Sequence, residues 1–134
     1  MSIFLDASFW VALANQNDHH HARAQEIAKE LTQQKYGRPI TSDHVFDESL
    51  GVTLRKSGLN EAQELGYVIL ESEAMLLTTE KHYFDLAWQT FSNQNGHFSF
   101  TDCSILAIMK ILSINYIASF DKEFENIKGI NVIK

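Results

Sequence analysis

Apolar residues in this chain fall into short continuous runs and into stripes of helical period. Ser2–Leu5 is a run of the first kind, ending at Asp6, and predicts a strand buried on both faces. A short apolar helix is expected from Phe9 to about Asn15, with Ser8 as its cap. Asp18 is the expected cap of the next helix, in which Ala24, Ile27, Ala28 and Leu31 form one face. Pro39–Ser42 reads as a second strand, with Pro39 at its start, where a missing N–H matters least. Asp43 is the expected cap of a helix from about His44 to Lys56, and Gly58 its stop. Asn60 opens another helix to about Ser72, and Ala74–Thr78 reads as a third strand. Thr79 is the expected cap of a long amphipathic helix to about Asn95, with Phe84, Ala87, Trp88 and Phe91 inward and Gly96 at its end. Ser99 and Asp102 have the spacing of a capping box, with Asp in place of the usual Glu or Gln. They precede Cys103–Leu112, which is apolar almost all round and therefore predicts a buried helix. Asn115–Ala118 reads as a fourth strand and Ile130–Ile133 as a fifth.

Strands that alternate with helices imply right-handed crossovers and a parallel sheet. The expected fold class is α/β: a three-layer α/β/α sandwich around a parallel sheet of about five strands. A length of 134 residues, with no repeat or low-complexity linker, predicts one domain over residues 1–134.

Composition narrows the class. An apolar fraction of 45% suits a globular chain. No apolar run approaches the ~18–20 residues needed to span a bilayer. The opening Met-Ser-Ile-Phe-Leu-Asp has neither the basic stretch nor the long apolar run of a signal peptide, so a cytoplasmic location is expected. The single cysteine, Cys103, agrees, because one thiol cannot build a disulfide framework or a Cys-based zinc site. Its apolar setting predicts a core residue. A net charge of −6 argues at first sight against nucleic acid as a partner. The objection weakens if the acids are gathered where cations bind.

The acids do fall where such gathering is expected. Asp6 closes the first strand and Asp121 lies just beyond the fourth. Open α/β sheets collect ligands outside the carboxyl ends of their strands, where the strand order reverses. If strands one and four are neighbours there, Asp6 and Asp121 face one crevice. Asp102 enters from the first turn of the buried helix, and Glu48 from the helix after strand two. Four carboxylates brought together push one another toward the neutral form unless a hard divalent cation sits among them. Mg²⁺ takes one or two carboxylates and keeps several waters, which suits phosphate handling, and Mn²⁺ takes similar oxygen ligands. Such an ion can activate water, polarise phosphorus and stabilise a leaving oxygen, the three needs of phosphodiester hydrolysis.

Four segments carry a family resemblance: Ile3-Phe4-Leu5-Asp6-Ala7-Ser8, Thr41-Ser42-Asp43-His44-Val45-Phe46-Asp47-Glu48, Ser99-Phe100-Thr101-Asp102 and Ala118-Ser119-Phe120-Asp121-Lys122-Glu123-Phe124. In order and spacing they resemble the four acidic motifs of PIN domains, and Asp18, His21 and Ala24 resemble a D-x-x-H-x-x-A stretch of the same proteins. The resemblance implies a Mg²⁺ or Mn²⁺ site held by Asp6, Glu48, Asp102 and Asp121, and cleavage of single-stranded RNA. Helical periodicity does not separate Glu48 from Asp47; the motif selects Glu48. The chain is also similar in length to the VapC toxins of toxin–antitoxin pairs. That similarity implies a homodimer and a small antitoxin whose tail blocks the acidic pocket.

Other residues carry simpler readings. Ser8 and Thr101 could contact the site, though helix capping is the better account of Ser8. Lys122 could reach a scissile phosphate or sit exposed in solvent. His19, His20 and His21 point in different directions on a helix and cannot all bind one ion, so a solvated first turn is expected, with His21 turned toward the core. Arg55 and Lys56 suit a helix C-terminus through the dipole. A signalling receiver domain also gathers acids around Mg²⁺, but Ala7 follows Asp6 where that class needs a second acid. The acidic balance leaves an alternative: a PIN-type module kept for RNA or protein binding, with little turnover.

Overall fold

The apolar runs become five parallel strands in the order β3-β2-β1-β4-β5. A computed structural model describes residues 1–134. The strands are β1 (Ser2–Leu5), β2 (Arg38–Ser42), β3 (Met75–Leu77), β4 (Tyr116–Ala118) and β5 (Asn131–Ile133). The helices are α1 (Ala7–Ala14), α2 (His21–Thr32), α3 (Asp43–Ser57), α4 (Leu59–Glu71), α5 (Lys81–Ser92) and α6 (Phe100–Ile111). From β1 the chain steps outward to β2 and β3, then returns to lay β4 against the other side of β1. With right-handed crossovers, this reversal puts α1–α4 on one face and α5 and α6 on the other. The result is the expected three-layer α/β/α sandwich.

The reversal places the crevice between β1 and β4, the neighbours that the acidic site requires. Pairing runs to the very end of β1, where the Asp6 N–H donates to the Ala118 carbonyl at 3.1 Å. Phe4, Leu5, Ile117 and Ala118 are buried there together. The indole of the buried Trp10 donates to Thr41 Oγ1 at 3.2 Å, and Thr41 donates to the Leu5 carbonyl at 3.0 Å. This chain of bonds fixes α1 against the ends of β1 and β2. Gly37 enters β2 at φ +79°, and a Cβ there would lie 2.1 Å from the Met1 carbonyl oxygen, so only glycine lets the two strands start side by side. No helix is long and apolar enough to cross a membrane.

Several helix starts differ from expectation, each for a local reason. Asp6, not Ser8, caps α1, its carboxylate accepting from the Ala7 N–H at 2.7 Å; Asp6 is itself extended and follows β1 directly, so the helix begins at once. Ser42 caps α3 by accepting from the Val45 N–H at 3.3 Å. Asp43 is thereby released to accept from the Thr79 hydroxyl at 2.6 Å and the Thr79 N–H at 3.1 Å. Burial works against the Asp43 charge, but these bonds and one from the His44 N–H hold its carboxyl below the ordinary range. Thr79, so engaged, does not cap α5, which starts after Glu80. Helix α2 starts at His21 without a side-chain cap, and the Asp18 carboxylate accepts from the His20 N–H at 2.8 Å. Gly58, at φ +95°, both stops α3 and precedes α4 directly.

Helix α5 is turned from its expected orientation. Tyr83 and Ala87 are its buried residues, whereas Phe84, Trp88 and Phe91 are 47%, 57% and 37% exposed. The small Ala87 packs with Cys103 and Ala107 of α6, and this close approach puts the larger rings on the flank. There Phe84 and Phe91 cover Phe100, with ring centroids 5.4 and 6.0 Å away. Helix α6 is buried as expected, from Asp102 through Ile105 and again at Ala107–Met109. Cys103 is a core thiol that burial pushes above its ordinary pKa.

Candidate active site

Each acid is delivered by an element whose start the sequence determines. Asp6 is almost wholly buried, 4% exposed, at the junction of β1 and α1. Its Oδ1 accepts from the Ala7 N–H; its Oδ2 accepts from the Ser119 hydroxyl at 2.7 Å and the Ser8 hydroxyl at 3.2 Å. Ser8 is therefore a support for the site and not a helix cap. Its Oγ also accepts from the Phe120 N–H at 2.9 Å, and Ser119 Oγ accepts from the Asp121 N–H at 3.0 Å. The two hydroxyls thus tie Asp6 on β1 to the loop after β4 that carries Asp121.

Asp102 forms a complete capping box with Ser99: its N–H donates to Ser99 Oγ at 3.1 Å and its Oδ2 accepts from the Ser99 N–H at 3.0 Å. Asp121 starts the 3₁₀ turn Lys122–Phe124 by accepting from the Glu123 N–H at 3.0 Å. Carboxylate oxygens of Asp102, Asp121 and Glu123 all lie within 4.8 Å of one another. That span is roughly twice a metal–oxygen distance, the separation expected of donors around one hard divalent ion.

Glu48 completes the picture from α3. Its Oε2 is buried and has no hydrogen-bond partner. Burial, then the charges of Asp6, Asp102, Asp121 and Asp47, push its carboxyl up to about 7. Burial likewise pushes Asp6 up to about 6, with Asp102 adding to the rise while Ser119, Ala7 and Ser8 oppose it. All four expected acids therefore share one electrostatic neighbourhood, and Asp47 points to solvent beside them. An unpaired buried carboxylate oxygen costs several kcal/mol unless a proton or cation meets it. An all-oxygen donor set of this kind fits a hard divalent ion. Thr101 and Lys122 form no hydrogen bond or ion pair with these acids; Lys122 is exposed, and the Thr101 carbonyl accepts from Ser104.

The PIN domain family model matches residues 3–130. The chain belongs to the PIN-domain family. Among curated proteins, this PIN domain is similar to the 23S rRNA-specific endonuclease VapC20 of Mycobacterium tuberculosis, in strains CDC 1551 / Oshkosh and H37Rv. The identity is 28% over 123 residues, 91% of each chain. It also superposes on the crystal structure of M. tuberculosis VapC20, described as a sarcin-ricin loop cleaving toxin. The TM-score there is 0.80 at 25% identity, covering 91% of this chain and 92% of that one.

Two residues of the site escaped sequence reasoning. Glu123 joins Asp102 and Asp121, and a hydrogen bond with Asp102 holds its carboxyl above the ordinary range. Ser119 is buried and donates to Asp6. Both stand in the segment Ala118–Phe124, and the signal for Glu123 was its place two residues after Asp121, in the turn that Asp121 caps. Ser119 offered none, because a buried serine on a strand end looks like any other until its partner is seen.

Proposed function

We propose that this PIN domain, acting as one unit over residues 1–134, is a Mg²⁺- or Mn²⁺-dependent endoribonuclease that hydrolyses single-stranded RNA. In this reading it is the toxin of a toxin–antitoxin pair and works in the cytoplasm. Asp6, Glu48, Asp102 and Asp121 would hold the ion, with Glu123 beside them. The observation that carries the proposal is Glu48 Oε2, buried without a partner, in a carboxyl that the charges of Asp6, Asp102 and Asp121 help to push up. The VapC20 relatives act on 23S rRNA by name, which makes a ribosomal RNA loop the first substrate to offer.

When bound, the ion supplies a Lewis acid for the phosphate and lowers the pKa of attacking water. The chain's own groups do the rest. Ser119 and Ser8 donate to Asp6 Oδ2 and hold the carboxyl in place, leaving Oδ1 with one hydrogen bond, from the Ala7 N–H. The capping box holds Oδ2 of Asp102, in a carboxyl that belongs to the cluster. Glu48, whose unbonded Oε2 belongs to a carboxyl pushed up to about 7 in the metal-free chain, would give up its proton on binding the ion and serve as a ligand. Exposed apolar residues on α4 and α5, including Tyr67, Leu70 and Trp88, favour a covered surface, either a second copy of the chain or the small antitoxin.

The purified protein is expected to cut single-stranded RNA with Mn²⁺ or Mg²⁺ and to stop on addition of a chelator. Undiminished cutting in chelator would remove the metal from the scheme. Binding without any cutting would leave the low-turnover module instead. Ser119→Ala should weaken Mn²⁺ binding about tenfold by calorimetric titration, as loss of a partner that orients a ligand does elsewhere; unchanged affinity would mean that Ser119 does not orient Asp6.

A further inference from the structure

The three consecutive histidines make different contacts, and His19 meets the His20 ring edge-to-face with centroids 5.0 Å apart. His21 Nδ1 lies 2.8 Å from the Ala12 carbonyl oxygen and ties α2 to α1. His20 instead lies flat on Phe120, with ring centroids 4.3 Å apart and planes 2° apart. Its ring makes no hydrogen bond and is exposed, so the solvated first turn expected of this run is only part of the account. The His20–Phe120 pair walls a cleft of about 320 Å³ between α1 and α3. Helix α3 presents Glu48, Val52 and Lys56 to that cleft, residues four apart on one helical face. Val11 of α1 adds apolar surface. Glu48 and Asp121 belong both to the cleft and to the acidic cluster, so the cleft opens directly onto the carboxylates.

We propose that this cleft receives one unpaired nucleobase next to the scissile phosphate, with His20, backed by Phe120, as its stacking face and Lys56 as the contact for an adjoining phosphate. The inference rests on reading the chain as a ribonuclease and adds how that site holds its RNA. The volume suits a single base, near the lower end for ligand pockets. Unpaired bases stack on flat aromatic faces, histidine included, whatever the sequence. A chain of net charge −6 needs a local cation to seat a polyanion beside its own carboxylates, and Lys56 lines this cleft about two helical turns from Glu48. The flat ring face, backed by a second aromatic ring, favours a base over a peptide side chain.

The test is binding, read by fluorescence anisotropy in Mg²⁺ on the Asp6→Asn background so that no cutting intervenes. The probes are a labelled oligouridylate and an abasic ribose-phosphate chain of the same length. The oligouridylate is expected to bind about tenfold more tightly, the scale of one base–aromatic stack. His20→Ala should erase most of that preference and His20→Phe should keep it. Lys56→Gln should weaken both probes alike and lower the salt slope by about one. A preference that survives His20→Ala, a His20→Phe variant as poor as the alanine one, or no binding of either probe would overturn the subsite. Cleavage by the parent protein is measured separately. If the parent cuts RNA while His20→Ala keeps the base preference, only the subsite falls. If the parent does not cut while the preference follows residue 20, the ribonuclease reading falls and the subsite stands.

Discussion

An Asp6→Asn variant should cut RNA at least about a hundredfold more slowly than the parent, the scale on which one electrostatic stabiliser of a transition state is felt. Its fold should be intact. The substitution keeps the acceptor for the Ala7 N–H, and the new amide can donate to the hydroxyls of Ser119 and Ser8, which now donate to Oδ2. It also removes a carboxyl whose ionisation burial already disfavours. Without metal at pH 7.5 the variant should therefore unfold no earlier than the parent. Wild-type cutting rates would dismiss Asp6 as a ligand. Lost cutting with an early thermal transition would mean only that the fold had failed.

The second large effect is on stability. Asp6 and Glu48, pushed up to about 6 and about 7, keep protons in the folded chain at pH values where the unfolded chain has released them. Folding then takes up protons, so the metal-free protein is most stable below about pH 4 on this account and loses stability as pH rises toward 7. Each carboxyl alone contributes a loss on the order of 3 kcal/mol, and the two titrate as an interacting pair. Saturating Mn²⁺ should restore the loss at pH 7.5, raising the melting temperature by on the order of 10 °C, and should do little near pH 4.5, where protons compete. Scanning calorimetry in chelator and in Mn²⁺ at the two pH values measures this. Equal melting temperatures in all four conditions would show that the acids do not repel one another enough to need a cation.

The elements that position the acids were legible because each is marked by a strong local signal. The short apolar run Ser2–Leu5 ending in Asp6 has the length and flank of a buried strand with a charge at its tip. The spacing of Ser99 and Asp102 gave the capping box that fixes the Asp102 carboxylate. Glu48 was separable from Asp47 only by motif, and burial now distinguishes them, with Asp47 exposed and Glu48 inward. Cap positions shifted because a Ser or Asp beside a helix start can bond either its own helix or a neighbour, and Asp43 found Thr79, distant in sequence. The face of α5 was misread because Phe84, Trp88 and Phe91 mark an apolar stripe without saying what covers it. Packing of Ala87 against α6 decided the rotation. The pairing of His20 with Phe120 is long-range and has no trace in local pattern.

Asp102 spends one oxygen on the Ser99 N–H and its own N–H on Ser99 Oγ, so a single side chain both begins a central helix and faces the carboxylate cluster. A geneticist seeking a harmless version of this protein should therefore distrust position 102. If the chain is the toxin proposed above, a truncated side chain there would be expected to disarm the molecule and loosen its middle at once, and a cell that survived expressing it could owe its survival to either.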